Sequence, residues 1–304
     1  KCILLVLEKA RKQGQKIIMG VVEEIGHDHN GRPIFRYDKK KDEFTKELWD
    51  DTVVIREELK NPENKDNKNV FIVDIDEIKN DVYVPRYYWR RRIEELKSEA
   101  EKKNLEFVQI KDLIDQKIIQ DFAGHGSPSG KYKGKGEIPY VRVADIVNWE
   151  IYKNPTSLIP EYVYKDIKAN GLDLKEKDVL FVRRGSYRIG SVAMISQYDI
   201  KVLLTREIQV FRIVEESNKY DIDPFYLLYL FSHELTQKQL YNKVMIDTTL
   251  PNIGRRWEEM YLPIAKDKNE RKKIRDKIRQ AFLKKWEAQK EITSLKKEFG
   301  NLTT

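Results

Sequence analysis

The feature that most limits how this chain can fold is residues 269–299, a run without glycine or proline. Ile274, Ile278, Phe282 and Trp286 recur along it at intervals of four, the spacing of one face of an α-helix. Such a helix would be roughly 45 Å long, and its eleven Lys and Arg outnumber its five Asp and Glu. Because large aromatic side chains require burial, we predict a packing helix with a basic outer face. The sequence leaves open whether it packs on this chain or on another.

The whole chain has 304 residues and a net charge of +8. A basic protein suits a polyanionic partner without requiring one, and the near balance of charge outside the long helix favours local basic patches. The single cysteine, Cys2, excludes an internal disulfide and a Cys-rich zinc site, which suits a reducing cytosol. No apolar run reaches the roughly 20 residues that span a bilayer. We therefore expect a cytoplasmic protein with no membrane partner.

The first part of the chain is typical of the end of a larger sheet. Residues 2–7 and 17–25 are apolar runs with β-branched members, the pattern of strands buried on both faces. The Asn30-Gly31 pair favours a hairpin turn that joins residues 17–25 to a strand at 32–37. Two or three strands cannot form an independent domain, and the chain begins with Lys rather than Met. We therefore interpret it as a fragment of a longer protein, with a charged linker at residues 61–85.

A loop rich in glycine and lysine occupies residues 124–136, ahead of a strand-like run at 138–146. Lys131, Lys133 and Lys135 alternate along it, and its glycines allow a ligand to approach the backbone closely. These cations could neutralise DNA phosphates and release counterions, although a flexible, solvated loop fits the sequence equally well. A Walker phosphate loop is excluded, because it requires Gly where His125 stands and Ser or Thr where Tyr132 stands.

Residues 183–188 place three arginines around Gly185 at the end of a predicted strand. Arginine pairs bidentately with guanine in the major groove, so this segment is a candidate for reading DNA. Alternatively, the arginines pair with acids such as Asp178 or Glu207. Residues 205–207 and 247–256 carry further side chains that can serve phosphates or base edges, or ordinary turns and caps. The candidate DNA-binding residues are Lys131, Lys133, Lys135, Arg142, Arg183, Arg184, Ser186, Tyr187, Arg188, Thr205, Arg206, Thr248, Thr249, Asn252, Arg255 and Arg256.

The sequence indicates neither a catalytic site nor a metal site. His27 and His29 alternate beside a turn, but no third ligand is near, so a surface hairpin explains them better. His125 and His233 stand alone, no catalytic triad is visible, and Cys2 within an apolar run is typical of a core. An unfamiliar nuclease would instead require a cluster of carboxylates that bind metal. We predict no catalytic residue and no metal ion in this chain.

Six motifs in order resemble the target recognition domain of type I restriction–modification specificity subunits, over roughly residues 86–299. They are SPSGKY at 127–132, EIPYVRVADI at 137–146, DVLF at 178–181 with Gly185 and Gly190 after it, DPFYL at 223–227, TTLPNI at 248–253 and YLPI at 261–264. A long spacer helix normally follows in such proteins. Residues 1–60 resemble the tail of an N6-adenine DNA methyltransferase of the same class, through residues 2–7 and IGHDHNGRPI at 25–34.

The resemblance implies an α/β (α+β) fold: a mixed, mostly β recognition domain at 86–266, a spacer helix at 267–304 and a remnant of a methyltransferase sheet at 1–60. It implies binding of double-stranded DNA that directs an adenine-N6 methyltransferase domain or subunit, with a restriction subunit as a further partner. The chain lacks the Asn-Pro-Pro-Tyr/Phe tetrapeptide and the Gly-rich cofactor motif of the complete enzyme. Methylation and S-adenosylmethionine binding are therefore expected only of the parent protein. The alternative is a basic docking module for a methyltransferase or nuclease subunit, with little DNA specificity of its own.

Overall fold

The computed structural model describes residues 14–79, 82–169, 171–185, 187–214, 217–245 and 251–299. Its contacts divide the chain into two compact units, Lys1–Glu95 and Leu96–Thr304. The strand predicted at residues 2–7 lies outside the described residues, and the predicted domain boundaries stay predictions. In the part of the chain that is described, no helix is both long and apolar enough to cross a membrane.

The first unit contains two separate pairs of antiparallel strands. β1 (Lys16–Gly20) pairs with β4 (Val70–Asp74), and β2 (Phe35–Asp38) pairs with β3 (Glu43–Leu48). Met19, Val73 and Tyr88 form a small buried core. The helices of this unit are α1 (Thr52–Glu58), α2 (Pro85–Tyr88) and the first turns of α3 (Arg90–Lys102), within which the two units divide.

Two predictions for this unit are wrong. Residues 17–25 are not a strand buried on both faces, because β1 ends at Gly20 and Ile18 is 52% exposed. They also form no hairpin with residues 32–37. The Asn30-Gly31 turn closes only a bridge between His27 and Pro33, and β1 takes its partner from β4, within the segment predicted as a linker. Local turn chemistry predicted the reversal of the chain, but the pairing depends on an apolar strand much further along.

The second unit is a mixed α/β structure whose central strands form an antiparallel sheet. Its strands are β5 (Leu105–Gln109), β6 (Ile119–Ala123), β7 (Ile138–Val141), β8 (Ile146–Val147), β9 (Glu150–Ile151), β10 (Leu158–Ile159), β11 (Val179–Val182), β12 (Val192–Met194), β13 (Leu203–Leu204), β14 (Ile208–Ile213) and β15 (Tyr261–Ala265). Its helices are α4 (Ile110–Asp115), α5 (Glu161–Lys168), α6 (Pro224–Ser232), α7 (Glu234–Lys238), α8 (Leu240–Lys243) and α9 (Lys268–Phe299). The central sheet has the order β12-β11-β14-β6, and a second sheet has the order β10-β7-β13 with β13 parallel to β7. β5 pairs with β15, and β8 with β9.

Strand β11 lies between two hydrophobic clusters. Val179 and Phe181 pack into the larger cluster with α6 and Trp257, whereas Leu180 and Val182 pack into the other. Successive side chains of a strand point to opposite faces. A strand covered on both faces therefore requires an uninterrupted apolar run. Arg183 and Arg184 directly follow this buried strand.

Helix α9 confirms the long helix predicted from the sequence and begins one residue earlier, at Lys268. Phe282 and Trp286 are 5% and 9% exposed, and their rings lie 5.9 and 6.1 Å from the ring of Phe225 in α6. This half of the helix therefore packs on its own chain. Beyond Trp286 the apolar line faces solvent, with exposed fractions of 53%, 45% and 50% at Ile292, Leu295 and Phe299.

Candidate nucleic-acid interface

Strand β11 ends where β14 begins, and this brings two arginine segments together. The antiparallel register places Val182 opposite Ile208. Arg183, which follows β11, donates its backbone N–H to the carbonyl of Glu207 at 3.0 Å, and its Nη2 donates to the carbonyl of Arg206 at 2.8 Å. Two candidate segments that are separate in the sequence, 183–188 and 205–207, therefore meet in the structure.

A third predicted segment forms a short antiparallel ribbon with residues 183–185. The backbone N–H of Gly185 donates to the carbonyl of Pro251, and that of Ile253 donates to the carbonyl of Arg183, both at 3.1 Å. Arg184 and Asn252 are therefore directly opposite each other. We define residues 183–185 and 251–253 as the arginine ribbon.

Glycine is required in the ribbon for two reasons. Gly185 has a φ of 128°, which L side chains rarely adopt, and a Cβ there would lie 2.9 Å from Cγ2 of Val143. The ribbon consequently packs against the residue that follows Arg142, another predicted site residue.

The acids considered as partners of these arginines are engaged elsewhere. Asp178 lies at the other end of β11 and accepts two hydrogen bonds of 2.7 Å from Arg212. Glu207 accepts a hydrogen bond from the hydroxyl of Thr205. Neither forms an ion pair with Arg183 or Arg184 among the residues that the structure describes.

Among the described residues, the positive charge at this edge of the sheet is therefore not neutralised by an ion pair. Throughout the described ranges, Arg183, Arg184 and Arg206 form no ion pair with an acid. Burial is the main cause that lowers the pKa of the Arg183 guanidinium; the charge of Glu207 opposes this, and those of Arg184 and Arg255 reinforce it. Like charges held together by the fold create a site for an anion.

Arg142 and Arg256 hold turns beside the ribbon. Arg142 donates to the carboxylate of Asp145 at 3.0 and 3.3 Å, and this hydrogen bonding raises the pKa of Arg142. Because Asp145 also accepts the backbone N–H of Arg142 at 2.9 Å, the predicted strand at 138–146 ends at Val141 in a tight turn. Arg256 donates to the carbonyls of Lys243 and Asn252 at 3.0 and 3.2 Å.

The remaining predicted residues of this region differ in their exposure. Tyr187 is 83% exposed, and the guanidinium of Arg188 lies 5.2 Å from its ring centre. The side chain of Arg255 is 73% exposed and pairs with Glu258. Ser186, Thr248 and Thr249 lie outside the described residues.

The first half of the 124–136 loop is fixed by His125, a residue that sequence reasoning left standing alone. His125 is 4% exposed; its Nδ1 accepts a hydrogen bond from the backbone of Leu204 at 3.1 Å, and its Nε2 donates to the carbonyl of Leu172 at 3.2 Å. Burial lowers the pKa of His125, which favours the neutral ring that these two bonds require. Its carbonyl accepts a hydrogen bond from Nε of Arg206 at 3.4 Å. Gly124 and Gly126, on either side of His125, were the signal in the sequence that another segment of backbone lies close to the loop.

Thr205 connects the same half of the loop to the sheet. It is 4% exposed, and its hydroxyl lies 3.3 Å from that of Ser127, which accepts a hydrogen bond from the hydroxyl of Tyr140 at 2.9 Å. A Cβ on Gly124 would lie 2.2 Å from the carbonyl oxygen of Thr205. Thr205 is therefore a buried support of the loop.

The second half of the loop presents its lysines to solvent. Lys131, Lys133 and Lys135 are exposed and form no ion pair within the described part of the chain. The ammonium groups of Lys131 and Lys133 lie 4.8 and 5.5 Å from the ring centres of Tyr132 and Tyr140. The loop ends at Gly136, where a Cβ would lie 2.1 Å from the carbonyl carbon of Ile159, so its far end is also tightly packed.

Among the described residues, no three His, Cys, Asp or Glu side chains are grouped so that they could hold a metal ion. His27 and His29 take part in local contacts instead. Nδ1 of His27 lies 3.2 Å from the carbonyl of Asp28, and Nε2 of His29 lies 3.1 Å from the amide nitrogen of Asn30.

No protein-family model matches the sequence, and a search of curated proteins finds no significant match. Several solved structures resemble the chain. The S subunit of a type I restriction–modification system from M. genitalium has 14% identity and a TM-score of 0.42 over 64% of this chain and 43% of its own. The HsdS subunit from Thermoanaerobacter tengcongensis has 16% identity and a TM-score of 0.37 over 70% and 49%.

A third structure concerns complex assembly and conformational transition of the type I R-M system; it has 16% identity and a TM-score of 0.39 over 71% of this chain and 52% of its own. The chain spans about half the length of these structures. The structural neighbours therefore include S subunits of type I systems, the class that the sequence motifs resemble. Fusion to a methyltransferase tail stays a prediction.

Proposed function

We propose that the second unit recognises a DNA sequence in a type I restriction–modification system and so directs an adenine-N6 methyltransferase to its site. The observation that carries the proposal is the edge at which Arg183, Arg184 and Arg206 meet without an ion pair to any acid among the described residues. A two-stranded ribbon fits the major groove of B-DNA, where side chains read base edges. The buried strands β11 and β14 hold this ribbon in a fixed position.

The site divides into two kinds of contact. Lys131, Lys133 and Lys135 are exposed point charges, suited to phosphates and to setting the register on the duplex. Arg184 and Asn252 stand on paired backbone, suited to base edges. Ser186, Thr248 and Thr249 remain candidates for further contacts.

Chemistry would be supplied by another domain or subunit. An adenine-N6 methyltransferase with S-adenosylmethionine would take the target base out of the duplex before modifying it. The role of the present chain would be to choose the site, with double-stranded DNA, the methyltransferase and a restriction subunit as its partners.

The test is selection of bound duplexes from a random-sequence pool at physiological salt. We expect the wild-type chain to enrich a motif a few base pairs long. A variant with Arg183, Arg184 and Arg206 all replaced by Ala should bind weakly without enrichment. Salt-sensitive binding by the wild-type chain without any enriched motif would contradict the proposal.

A second candidate function is docking of a methyltransferase or nuclease subunit with little DNA specificity. It is favoured by the exposed apolar residues Ile292, Leu295 and Phe299 at the end of α9. Tight binding of such a subunit in the absence of DNA, together with a pool that shows no enrichment, would support it.

A further inference from the structure

Arg184 and Asn252 form a non-hydrogen-bonded pair of the ribbon, in which opposite side chains are closer together than in a hydrogen-bonded pair. The bonds from Gly185 to Pro251 and from Ile253 to Arg183 flank the pair, which itself exchanges no backbone bond. In such a pair the Cα atoms lie about 4.5 Å apart and both side chains point to the same face. The guanidinium and the amide therefore project side by side from two strands.

The guanidiniums of Arg183 and Arg184 differ in their hydrogen bonds. Arg183 uses Nη2 to bind the carbonyl of Arg206, and its Nε is buried without a hydrogen-bond partner among the described residues. Arg184 is exposed, and its guanidinium forms no hydrogen bond or ion pair within the described part of the chain. Of these two arginines, only Arg184 can present a complete fork of donors to a ligand.

The amide of Asn252 is oriented before any ligand arrives. Its Oδ1 accepts a hydrogen bond of 2.7 Å from the backbone N–H of Gly254. This leaves two donors on Nδ2 and one lone pair on Oδ1. One donor and one acceptor are what the major-groove edge of adenine requires, at N7 and N6, whereas guanine offers two acceptors, at N7 and O6, to a guanidinium.

We propose that Arg184 and Asn252 read a guanine and an adenine at neighbouring base pairs of the target, and that Arg183 is a positioning residue. The spacing suits this pairing, because side chains about 5 Å apart at Cβ can reach base pairs about 3.4 Å apart. Arg183 ties β11 to Arg206 and fixes the ribbon from which Arg184 projects. This inference rests on the proposed function of the same site.

The experiment compares motifs that five proteins select from the same random duplex pool. The wild-type motif should contain a G·C pair beside an A·T pair. Arg184→Lys keeps the charge but loses the fork, so the preference for G·C should disappear at that position alone. Affinity for the wild-type site should fall roughly 5- to 150-fold.

The other three variants separate reading from positioning. Asn252→Asp keeps an oxygen that accepts the N–H of Gly254 and removes the donors, so preference at the A·T position should disappear or move to C·G. Arg183→Ala should lower affinity for all sequences and leave the motif unchanged. Arg183→Lys, which can still donate to the carbonyl of Arg206, should recover part of that loss.

The outcomes distinguish failure of the proposed function from failure of the reading pair. A wild-type chain that enriches no motif overturns the proposed function. An enriched motif that Arg184→Lys and Asn252→Asp leave unchanged overturns only the reading pair. A motif that changes with Arg183→Ala would assign the reading role to Arg183 and overturn the inference as well.

Discussion

The arginines at the two ends of strands β11 and β14 differ in whether an acid pairs with them. At one end Arg212 binds Asp178 through two hydrogen bonds of 2.7 Å, and these side chains are only 16% and 1% exposed. At the other end Arg183 and Arg206 meet with no acid bound to them among the described residues. The same two strands therefore carry one neutralised and one charged edge.

The difference follows from burial. A charge removed from water requires a partner, because its desolvation is otherwise uncompensated. Arg212 meets this requirement, and it donates a further hydrogen bond of 2.7 Å to the carbonyl of Asp173. Arg184 and Arg206 are exposed to solvent, so their charge does not require an acid as a partner. One edge serves folding, and we propose that the other serves binding.

Removal of the acid at the neutralised edge tests whether the ion pair there stabilises the fold. Asp178→Ala leaves Arg212 buried without an acid. It also removes the carboxylate that accepts a hydrogen bond of 2.7 Å from the backbone N–H of Lys175. We expect the free energy of unfolding in urea to fall by about 3–5 kcal/mol. Replacing Arg212 by Met in the same chain should recover part of this loss.

Arg184→Ala at the other edge is the control for that measurement. Because Arg184 is exposed, its removal should change the free energy of unfolding by no more than about 0.5 kcal/mol. Equal losses for the two variants would mean that the charged edge also stabilises the fold, and the proposed division would be wrong.

The sequence predicted the arginine cluster but not its neighbours. Asp178 and Arg183 are close along the chain, so an ion pair between these segments was a reasonable alternative. The antiparallel register instead places Val179 opposite Phe211, which brings Asp178 to Arg212. Likewise, the contact of Arg184 with Asn252 depends on a long-range bridge that no local pattern encodes.

Local patterns succeeded where one element determines its own structure. The apolar run of β11 and the long helix α9 were both evident from their hydrophobic patterns. Asp223 caps α6 by accepting the N–H of Tyr226 at 2.9 Å. The pairing of β1 with β4 was not evident from the sequence. The two strands are separated along the chain by β2 and β3, which pair with each other.

A second prediction concerns how firmly the loop is attached to the charged edge. Gly124→Ala would force a Cβ to within 2.2 Å of the carbonyl of Thr205, so backbone must move. We expect the free energy of unfolding to fall by about 1–3 kcal/mol. Gly130→Ala is the matched control, because a Cβ there meets nothing within 4 Å; similar stability of both variants would show that the loop is not anchored at Thr205.

A third prediction separates loop lysines from ribbon arginines by their response to salt. Replacing Lys131, Lys133 and Lys135 by Ala should weaken binding to every duplex and lower the slope of log K against log salt by up to about 2.7. The enriched motif should stay the same. Replacing the exposed residues 39–41, also three lysines, makes the same change in charge on the other unit. An equal effect of both triple variants would mean that overall charge, rather than loop position, determines affinity.

We also expect a weak dependence of stability on pH, caused by His125. Burial lowers the pKa of this ring; the charge of Lys168 acts in the same direction, and the hydrogen bond to Leu172 and the charge of Asp173 oppose it. Protons therefore bind the unfolded chain more readily, and the contribution of the neutral ring to stability is complete above about pH 6.5 and declines as the pH falls below it. The free energy of unfolding should be lower at about pH 5.5 than at about pH 7.5.

His233 contributes to the same dependence on pH, because burial lowers its pKa as well. Its contribution has to be separated from that of His125. His233→Asn retains a side chain that can accept the N–H of Leu235 and begin α7, since Asn is among the preferred N-caps. The decline that persists in this variant is assigned to His125. Because the carbonyl of His125 binds Arg206, affinity for the selected duplex should decline over the same range of pH. A stability that no longer depends on pH in this variant would show that His125 does not hold the charged edge in place through its neutral form.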